Sequence, residues 1–397
     1  MEIFRAQLPS PPPPRQAHLS LPCLRPPALL CALLALAAIQ TQAQPQAPAP
    51  AAPASWIVAS KGGKAGFLAP DGSHPIPGSF LDAKPFSEGR SAVQVEVGDS
   101  PLPAMNGPKW GYIDTKGQMV VASIYEQARS FRSGVAWVRV LTLWGLIGPQ
   151  GRFILEPSYE DVGSFSEGLA LVWNGSRFGW VDVTGYPVIA AIYEGGGDFS
   201  NGLAPVKRGS EWGYIDRSGH LAIPPRYVKA YRFVDSIARV QEAAGWTYIR
   251  TTGEAICKEV FDKADDFHEG LATVRNQGTW AIMDRSGKLL CGFEYDQVGK
   301  PSEGLVAVKL GTAWGYLDAS GRLAIPAQFE KVREFAHGLA PAQDRHGKLW
   351  GYIDHSGKWK LPPQWERAEV FSQGLARVRQ KGGSWKWVSP SGAMIDG

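Results

Sequence analysis

The sequence lacks a large excess of either sign of charge, since its formal net charge is only +4 over 397 residues. The excess falls further without residues 1–43, because Arg5, Arg15 and Arg25 leave with a single acid, Glu2. This balance argues against a nucleic-acid binder. Long apolar runs are missing too, since no segment approaches the ~20 residues that a membrane-spanning helix needs.

Motifs of familiar enzymes and metal sites are also missing. No HExxH or CxxC spacing occurs, and no GxSxG elbow, phosphate loop or dinucleotide fingerprint stands in a suitable context. We therefore expect no catalytic residue, no metal site and no cofactor. The histidines after residue 43 occupy unrelated positions of the repeat described below: His74, His220, His268, His337, His346 and His355.

The first 55 residues predict an export signal and a linker. Residues 1–43 combine a basic stretch, a short apolar segment from Ala28 to Ile39 and the small residues Thr41-Gln-Ala43, which together resemble a cleavable signal peptide. Residues 44–55 are rich in Pro and Ala and predict an extended linker. The expected location is therefore outside the cytoplasm, periplasmic or extracellular.

Tryptophan returns at a fixed interval of 34 residues through most of the remaining chain, which marks a tandem array. We number each unit from this residue as position 0. Phe178 takes the place of tryptophan in one unit, and the last two steps are slightly longer. The position 0 tryptophans are Trp110, Trp144, Trp212, Trp246, Trp280, Trp314, Trp350 and Trp385.

Each unit predicts four short strands and three turns. A Trp-Gly-Tyr-Ile-Asp strand such as Trp212–Asp216 is followed by a turn with Gly at position 7 and by a second strand. A Phe-Ser-Glu-Gly turn and a strand with small apolar residues at positions 26 and 28 complete the unit. Helix periodicity is absent, which excludes a tetratricopeptide array of equal period.

These motifs resemble the WG-repeat family. The resemblance rests on the tandem Trp-Gly-Tyr-Ile-Asp segments, the following Gly, the aromatic-acidic pair Tyr125-Glu126 and the Phe-Ser-Glu-Gly-Leu-Ala segment. It implies a bacterial, β-rich repeat protein, often exported, with no catalytic residues to transfer. We assign residues 56–397 to the array, as about nine units with partial end units and an insertion at 96–108.

The sequence leaves the overall arrangement open between two all-β architectures. Propeller blades usually need 40 or more residues and rings close at about four to eight blades. Here there are nine shorter units, and closure would join the Trp56–Ala59 strand to the hairpin that starts at Trp385. We therefore expect an open superhelical array of antiparallel β repeats, with a closed propeller-like toroid as the alternative.

Two cysteines, Cys257 and Cys291, remain outside the leader, and both occupy position 11. Other units have apolar residues there, so two buried, unreactive thiols are one interpretation. A disulfide between neighbouring units is the other, since exported proteins form them.

Repeated acidic residues have structural explanations. An Asp at position 4 recurs before the Gly of the first turn and predicts turn capping, not a calcium ladder, because each unit supplies only one carboxylate. His268 and Glu269 lie in the Phe-Ser-Glu-Gly type of turn, where we predict a solvated turn and not a catalytic group.

The best candidate surface lies on the last strand of each unit. If positions 26 and 28 point inward, positions 27 and 29 point outward, and stacking aligns them into a basic, partly aromatic stripe. The alternative is a charged face that merely keeps the strand soluble. The stripe consists of Trp137, Arg139, Trp173, Lys207, Arg239, Arg275, Lys309, Arg377 and Arg379.

The sequence predicts a non-catalytic, exported binding or scaffold protein. Its partner would be a protein or glycan at the cell envelope, with an anionic polymer or acidic protein as the variant that a basic stripe suggests. One alternative is an exported hydrolase of envelope polymer with a site built from loops of several units. A purely structural spacer is the third hypothesis.

Overall fold

The computed structural model describes residues 56–69, 71–98 and 106–395, and all regular elements in these ranges are β-strands. The predicted signal peptide (1–43) and linker (44–55) lie outside the described residues. In the part that is described, no helix is long and apolar enough to cross a membrane. The all-β prediction is confirmed.

The strands form ten small antiparallel sheets, which we call blades 1 to 10, and consecutive strands pair within each blade. Blade 1 contains β1 (Ile57–Lys61), β2 (Lys64–Leu68) and β3 (Ile76–Phe80); blade 2 contains β4 (Asp82–Ala83), β5 (Arg90–Val97), β6 (Gly107–Asp114) and β7 (Met119–Tyr125); blade 3 contains β8 (Gln127–Ala128), β9 (Ala136–Val140), β10 (Leu143–Ile147) and β11 (Phe153–Tyr159); blade 4 contains β12 (Asp161–Ser166), β13 (Leu169–Trp173), β14 (Phe178–Asp182) and β15 (Pro187–Tyr193); blade 5 contains β16 (Gly195–Gly196), β17 (Leu203–Arg208), β18 (Glu211–Asp216) and β19 (Leu221–Tyr227).

The second half of the molecule repeats this plan. Blade 6 contains β20 (Lys229–Ala230), β21 (Ile237–Glu242) and β22 (Gly245–Arg250); blade 7 contains β23 (Lys263–Ala264), β24 (Leu271–Asn276) and β25 (Thr279–Asp284); blade 8 contains β26 (Gln297–Val298), β27 (Leu305–Leu310), β28 (Ala313–Asp318) and β29 (Leu323–Phe329); blade 9 contains β30 (Lys331–Val332), β31 (Ala340–Gln343), β32 (Trp350–Ile353) and β33 (Trp359–Trp365); blade 10 contains β34 (Arg367–Ala368), β35 (Ala376–Arg379), β36 (Trp385–Val388) and β37 (Met394–Ile395).

A blade is offset by half a unit from the sequence repeat. Its first two strands come from the end of one unit, and its last two come from the start of the next, so the position 0 tryptophan opens the third strand. The expected composite of Trp56–Ala59 with the hairpin from Trp385 is therefore wrong. Strand β1 pairs with β2 inside blade 1, while Trp385 begins β36 inside blade 10.

The hydrophobic core lies between neighbouring blades. Tyr214 and Tyr227 on one face of blade 5 pack against Ala238, Val240 and Ile249 on the facing side of blade 6. Both faces of a blade are buried in this way, so each three- or four-stranded module depends on its neighbours for its apolar contacts. The same arrangement recurs along the array.

Blade 10 packs on blade 1 through the same kind of interface, and this contact closes the ring. Leu375 and Trp387 of blade 10 cluster with Ile57, Ala59 and Leu68 of blade 1, which occupy the positions that face the preceding blade elsewhere. The favoured open superhelix is thus corrected to the alternative, a closed propeller-like toroid of ten blades. Side-chain packing closes it, since no strand pairing joins blades 1 and 10 in the described ranges.

Turns of the Phe-Ser-Glu-Gly type bond neighbouring blades at five interfaces: blades 2 to 3, 4 to 5, 5 to 6, 7 to 8 and 8 to 9. The Ser166 hydroxyl donates to the Phe199 carbonyl at 2.7 Å, and the Glu303 carboxylate accepts the Gly338 N–H at 3.0 Å. Glu303 and Gly304 have φ of 51° and 75°, the left-handed pair of a type I′ turn. The same bonds recur from Ser87 to Phe131, Ser200 to Phe233 and Ser302 to Phe335, and from Gly134, Gly202 and Gly304 to Glu88, Glu167 and Glu269.

Glu269 therefore has a structural partner and is more than a solvated turn residue. Its carboxylate accepts the N–H groups of Glu303 and Gly304 at 3.1 and 2.9 Å. The predicted capping role of the position 4 aspartates agrees with the geometry, because Asp318 accepts the N–H groups of Ser320 and Arg322. Among the described residues, no cluster of His, Cys, Asp or Glu could hold a metal ion.

Blades 6 and 7 have irregular outer edges, and the two cysteines lie there. Only isolated bridges, such as Trp246 with Phe261 and Trp280 with Tyr295, stand where other blades have a fourth strand. Cys257 and Cys291 are free, half-buried thiols, so the structure contains no disulfide between them. Burial raises the pKa of both thiols.

Candidate functional site

The meander gives the ring two rims. Turns between the first and second strands, and between the third and fourth, lie on one rim together with the Glu303-type bonds; we call it the latched rim. Turns between the second and third strands lie on the opposite rim, which we call the hairpin rim. The predicted stripe residues at position 29 lie near the hairpin rim, next to the position 0 tryptophans.

Strand pairing places a polar side chain beside each of these tryptophans. In blade 9 Lys331 pairs with Gln343, Gln343 with Trp350, and Trp350 with Trp365. Directly paired residues share a face of an antiparallel sheet. A row therefore crosses blade 9 from Lys331, through position 29 and the tryptophan, to a buried aromatic residue on the fourth strand.

The outward orientation predicted for position 27 is wrong. Trp137 is only 3% exposed, and its ring stacks on Phe165 of the next blade at 5.7 Å. Arg239 donates to the carbonyl of Ala264 at 2.7 Å and pairs with Asp266. The alternation of side chains is as expected, but the neighbouring blade covers both faces, so neither set points to solvent.

Position 29 keeps its polar character at the hairpin rim, although its side chains are half-buried. In Arg139 and Arg275 the buried Nε atom has no hydrogen-bond partner, and Arg379 pairs with Glu366 at 3.4 Å through Nη2. The stripe thus divides into buried interblade residues and rim residues. The rim members are Arg139, Trp173, Lys207, Arg275, Lys309 and Arg379.

An open cavity of about 1150 Å³ lies at the hairpin rim and extends over blades 8, 9 and 10. We call it the tryptophan cavity, because Trp314, Trp350 and Trp385 contribute to it from the same position of three successive blades. Of the predicted stripe only Lys309 lines it. The other lining residues are Gln297, Thr312, Glu330, Lys331, Val332, Arg333, Gln343, Glu366, Arg367, Ala368 and Glu369.

Cations lie over two of the three indole rings. The Arg333 guanidinium is 5.6 Å from the Trp350 ring centre, and those of Arg377 and Arg379 are 4.8 and 5.5 Å from the Trp385 ring centre. In the described part of the chain no cation is stacked on Trp314, since Gly299 occupies the repeat position that Arg333 has in the next unit. Trp314 is half-buried and carries no stacked cation, whereas Trp350 is only 9% exposed.

Sequence reasoning missed these tryptophans as site residues because it assigned them to strand structure alone. Their recurrence predicts a core, and Trp110, Trp144 and Trp350 are indeed buried, whereas Trp314 and Trp385 are half-buried. A usable signal was the spacing between positions 29 and 0, which two short strands joined by a tight hairpin bring side by side.

Comparisons with known proteins identify the repeat. A family model described as the WG containing repeat matches residues 110–140, 144–175, 178–211, 212–243, 246–280, 280–311, 314–348 and 350–385. Among curated proteins none matches the chain.

Solved structures that resemble it have low sequence identity. A eukaryotic initiation factor is 11% identical, with 78% of this chain and 86% of that chain covered and a TM-score of 0.42. Hsv2p of Kluyveromyces lactis is 8% identical, with 57% and 92% covered and a TM-score of 0.33. The WD40 β-propeller domain of Doa1 is 11% identical, with 66% and 93% covered and a TM-score of 0.27.

Proposed function

Because the chain belongs to the family of proteins with WG-containing repeats, we propose that it is a non-catalytic binding or scaffold protein that offers its hairpin rim to a partner. Repeat architectures of this kind build extended surfaces from equivalent positions of stacked modules. The observation that carries the proposal is the tryptophan cavity, where three successive blades each contribute one indole.

The chemistry of the molecule supports binding in preference to catalysis. Glu366, one of three carboxylates in the cavity, is ion-paired with Arg379. Burial raises the pKa of the Cys257 and Cys291 thiols, which keeps them protonated and poorly nucleophilic. Burial likewise raises the pKa of Tyr316, whose hydroxyl donates to the Arg333 carbonyl at 2.8 Å and serves the blade interface.

We place this function at the cell envelope, after export. The support is the composition of residues 1–43, with a basic stretch followed by a short apolar segment and small residues. The partner would then be a protein or glycan of that compartment.

The proposal is tested by retention of an envelope fraction on the immobilised protein, with protein and carbohydrate measured separately. We compare two matched charge reversals, Lys331→Glu with Arg367→Glu on the hairpin rim, and Lys116→Glu with Arg152→Glu on the latched rim. All four side chains are exposed. The hairpin-rim variant should retain at least about fivefold less material, and the latched-rim variant should match wild type.

Two results would contradict the proposal. Wild-type protein could retain nothing beyond a blank resin, or both double variants could lose retention equally. Shortened products after incubation of envelope polymer with the protein would instead favour the hydrolase hypothesis.

A further inference from the structure

We propose that the tryptophan cavity is a binding site for a glycan chain that runs over blades 8, 9 and 10, with the half-buried Trp314 of blade 8 as its main sugar-stacking position. This inference rests on the proposed function and names the ligand class for the same rim. It is carried by three features of the cavity: its row of indoles, its mixture of hydrogen-bonding groups and its extent.

The three indoles form a fixed aromatic row. Trp314 pairs across the sheet with Lys309 on one side and Phe329 on the other, and Trp350 is held in the same way between Gln343 and Trp365. Large aromatic side chains held in this way lose little further freedom when a ligand stacks on them. The apolar C–H face of a pyranose ring is a flat partner for such an indole.

The polar lining suits hydroxyl groups better than it suits a single charge. Lys331, Arg333 and Arg367 donate, Glu330 and Glu369 accept, and the lining amides can do both. A sugar hydroxyl both donates and accepts, so it can use every group in this set. A strongly anionic ligand would meet carboxylates as well as cations, which lowers its advantage.

A peptide ligand fits this lining less well. Peptide recognition depends on apolar anchors in desolvated pockets, and Val332 and Ala368 are the cavity's aliphatic side chains. The hydrophobic surface of the cavity is otherwise supplied by flat indoles. We therefore favour a glycan and treat an acidic protein segment as an outcome of the test.

The extent of the cavity argues for a chain and not a single sugar. Its volume of about 1150 Å³ exceeds the range of ~300–1,000 Å³ that holds one drug-sized molecule. Equivalent positions on three blades repeat along it, as sugar units repeat along a polymer. Trp314, which no stacked cation covers, should be the main stacking position, because Trp350 is only 9% exposed and arginines lie over Trp385.

The test is calorimetric titration of the full-length protein with chitohexaose, cellohexaose, hexagalacturonate and a polyglutamate peptide. Trp314→Ala is compared with Trp212→Ala, which removes the half-buried position 0 tryptophan of blade 5, outside the cavity. At least one hexasaccharide should bind wild type, and Trp314→Ala should weaken it at least about tenfold. Trp212→Ala should leave binding within about twofold, and urea midpoints establish that both variants fold.

Trp314→Phe, which keeps an aromatic face, should restore part of the affinity. Absence of binding to all three hexasaccharides overturns the inference, as does equal weakening by Trp314→Ala and Trp212→Ala. Binding of polyglutamate alone overturns it in favour of an acidic protein partner. If these results occur while envelope material is still retained at the hairpin rim, the ligand class is wrong and the proposed function stands.

Discussion

The two rims of the ring are built from the same repeat but differ in regularity. On the latched rim the turn between the first and second strands has the same pair of positive-φ residues in every blade from 2 to 10. Where that turn carries Glu, as at Glu303, Glu269 and Glu167, the carboxylate bonds one blade to the next. On the hairpin rim the connections vary, from the two residues Leu141-Thr142 to the segment that separates Val97 from Gly107. The comparison indicates that the latched rim fixes the geometry of neighbouring blades, whereas the hairpin rim serves binding.

Uniform turns hold neighbouring modules at a constant geometry, because each bond requires the same partner one unit further on. Varied connections carry no such requirement, and loops on a rigid scaffold are the usual place for binding residues. The tryptophan cavity lies on the varied rim. Because the interblade turn bonds lie on the latched rim, the hairpin rim can vary in sequence and serve recognition.

The largest expected effect comes from breaking the closure on which both rims depend. Leu375 is 1% exposed at the contact of blades 10 and 1, and Leu375→Ala should lower the free energy of unfolding by about 2–5 kcal/mol. Leu323→Ala removes the same atoms from a side chain that is 46% exposed. It should change the free energy of unfolding by less than about 0.5 kcal/mol. Urea unfolding measures both; equal effects would contradict a closed ring.

An insertion compares the rims directly. Four Gly/Ser residues placed after Glu303 should destroy a type I′ turn and its bonds to blade 9, at a cost of about 2 kcal/mol. The same insertion after Gly382, in the five-residue hairpin-rim loop between Arg379 and Trp385, nearly doubles the loop and should cost about 0.5 kcal/mol of loop entropy. Thermal or urea unfolding of the two variants measures both losses of stability. A larger loss from the hairpin-rim insertion would contradict the structural role assigned to the latched rim.

Removing one latch carboxylate should have a smaller effect. Glu303→Ala loses the bonds to the Gly338 N–H and to His355 Nε2, the latter at 3.1 Å, and should lower the free energy of unfolding by about 1 kcal/mol. Glu211→Ala removes an exposed carboxylate at the hairpin-rim end of β18; it is the control and should be neutral. Retention of envelope material should be unchanged in both.

The smallest effect concerns acid stability of the latched rim. The Ser320 hydroxyl, with backbone N–H groups, lowers the pKa of Asp318, and similar bonds lower the pKa of Asp216 and Asp354. A carboxyl with a lowered folded-state pKa stabilises above the unfolded pKa of about 4 and loses this as pH falls through the folded value. Stability should therefore decline below about pH 4.

Ser320→Ala should raise the pKa of Asp318 towards its ordinary value. The loss of folding stability between pH 5 and pH 3 should then be slightly smaller. Ser210→Ala, in an exposed hairpin-rim turn, should not alter it. Urea midpoints at pH 5 and pH 3, with NMR titration of the Asp318 carboxyl, provide the measurement. A steeper decline in Ser320→Ala would show that the hydroxyl does not stabilise the carboxylate.

Local features were predictable from the sequence, and contacts between blades were not. The 34-residue period, the strands and the capping role of Asp318 follow from short-range patterns of turn and strand residues. Ring closure depends on a small rotation summed over ten interfaces, which no single residue encodes. The bond from Glu303 to Gly338 spans 35 positions in sequence, so its carboxylate looked like an ordinary solvent-exposed turn group.

The site was only partly predictable for the same reason. Strand alternation correctly put positions 27 and 29 on one face, but a neighbouring blade covers that face and buries Trp137. Lys309 was identified at the cavity, whereas Trp314 was not, because its exposure depends on the packing of three blades. Residue patterns within one 34-residue unit cannot predict a surface that is formed by several units together.

Closure of the ring is tested most directly by two distances measured with spin labels and double electron–electron resonance. Labels are placed at exposed residues near the hairpin rim of blades 1, 5 and 10, namely Ser60, Glu211 and Ser384, after the native cysteines are changed to serine. The closed ring predicts that Ser60 is nearer to Ser384 than to Glu211, because blades 1 and 10 are neighbours. An open array would give the opposite order, with Ser60 farther from Ser384, and would contradict the account.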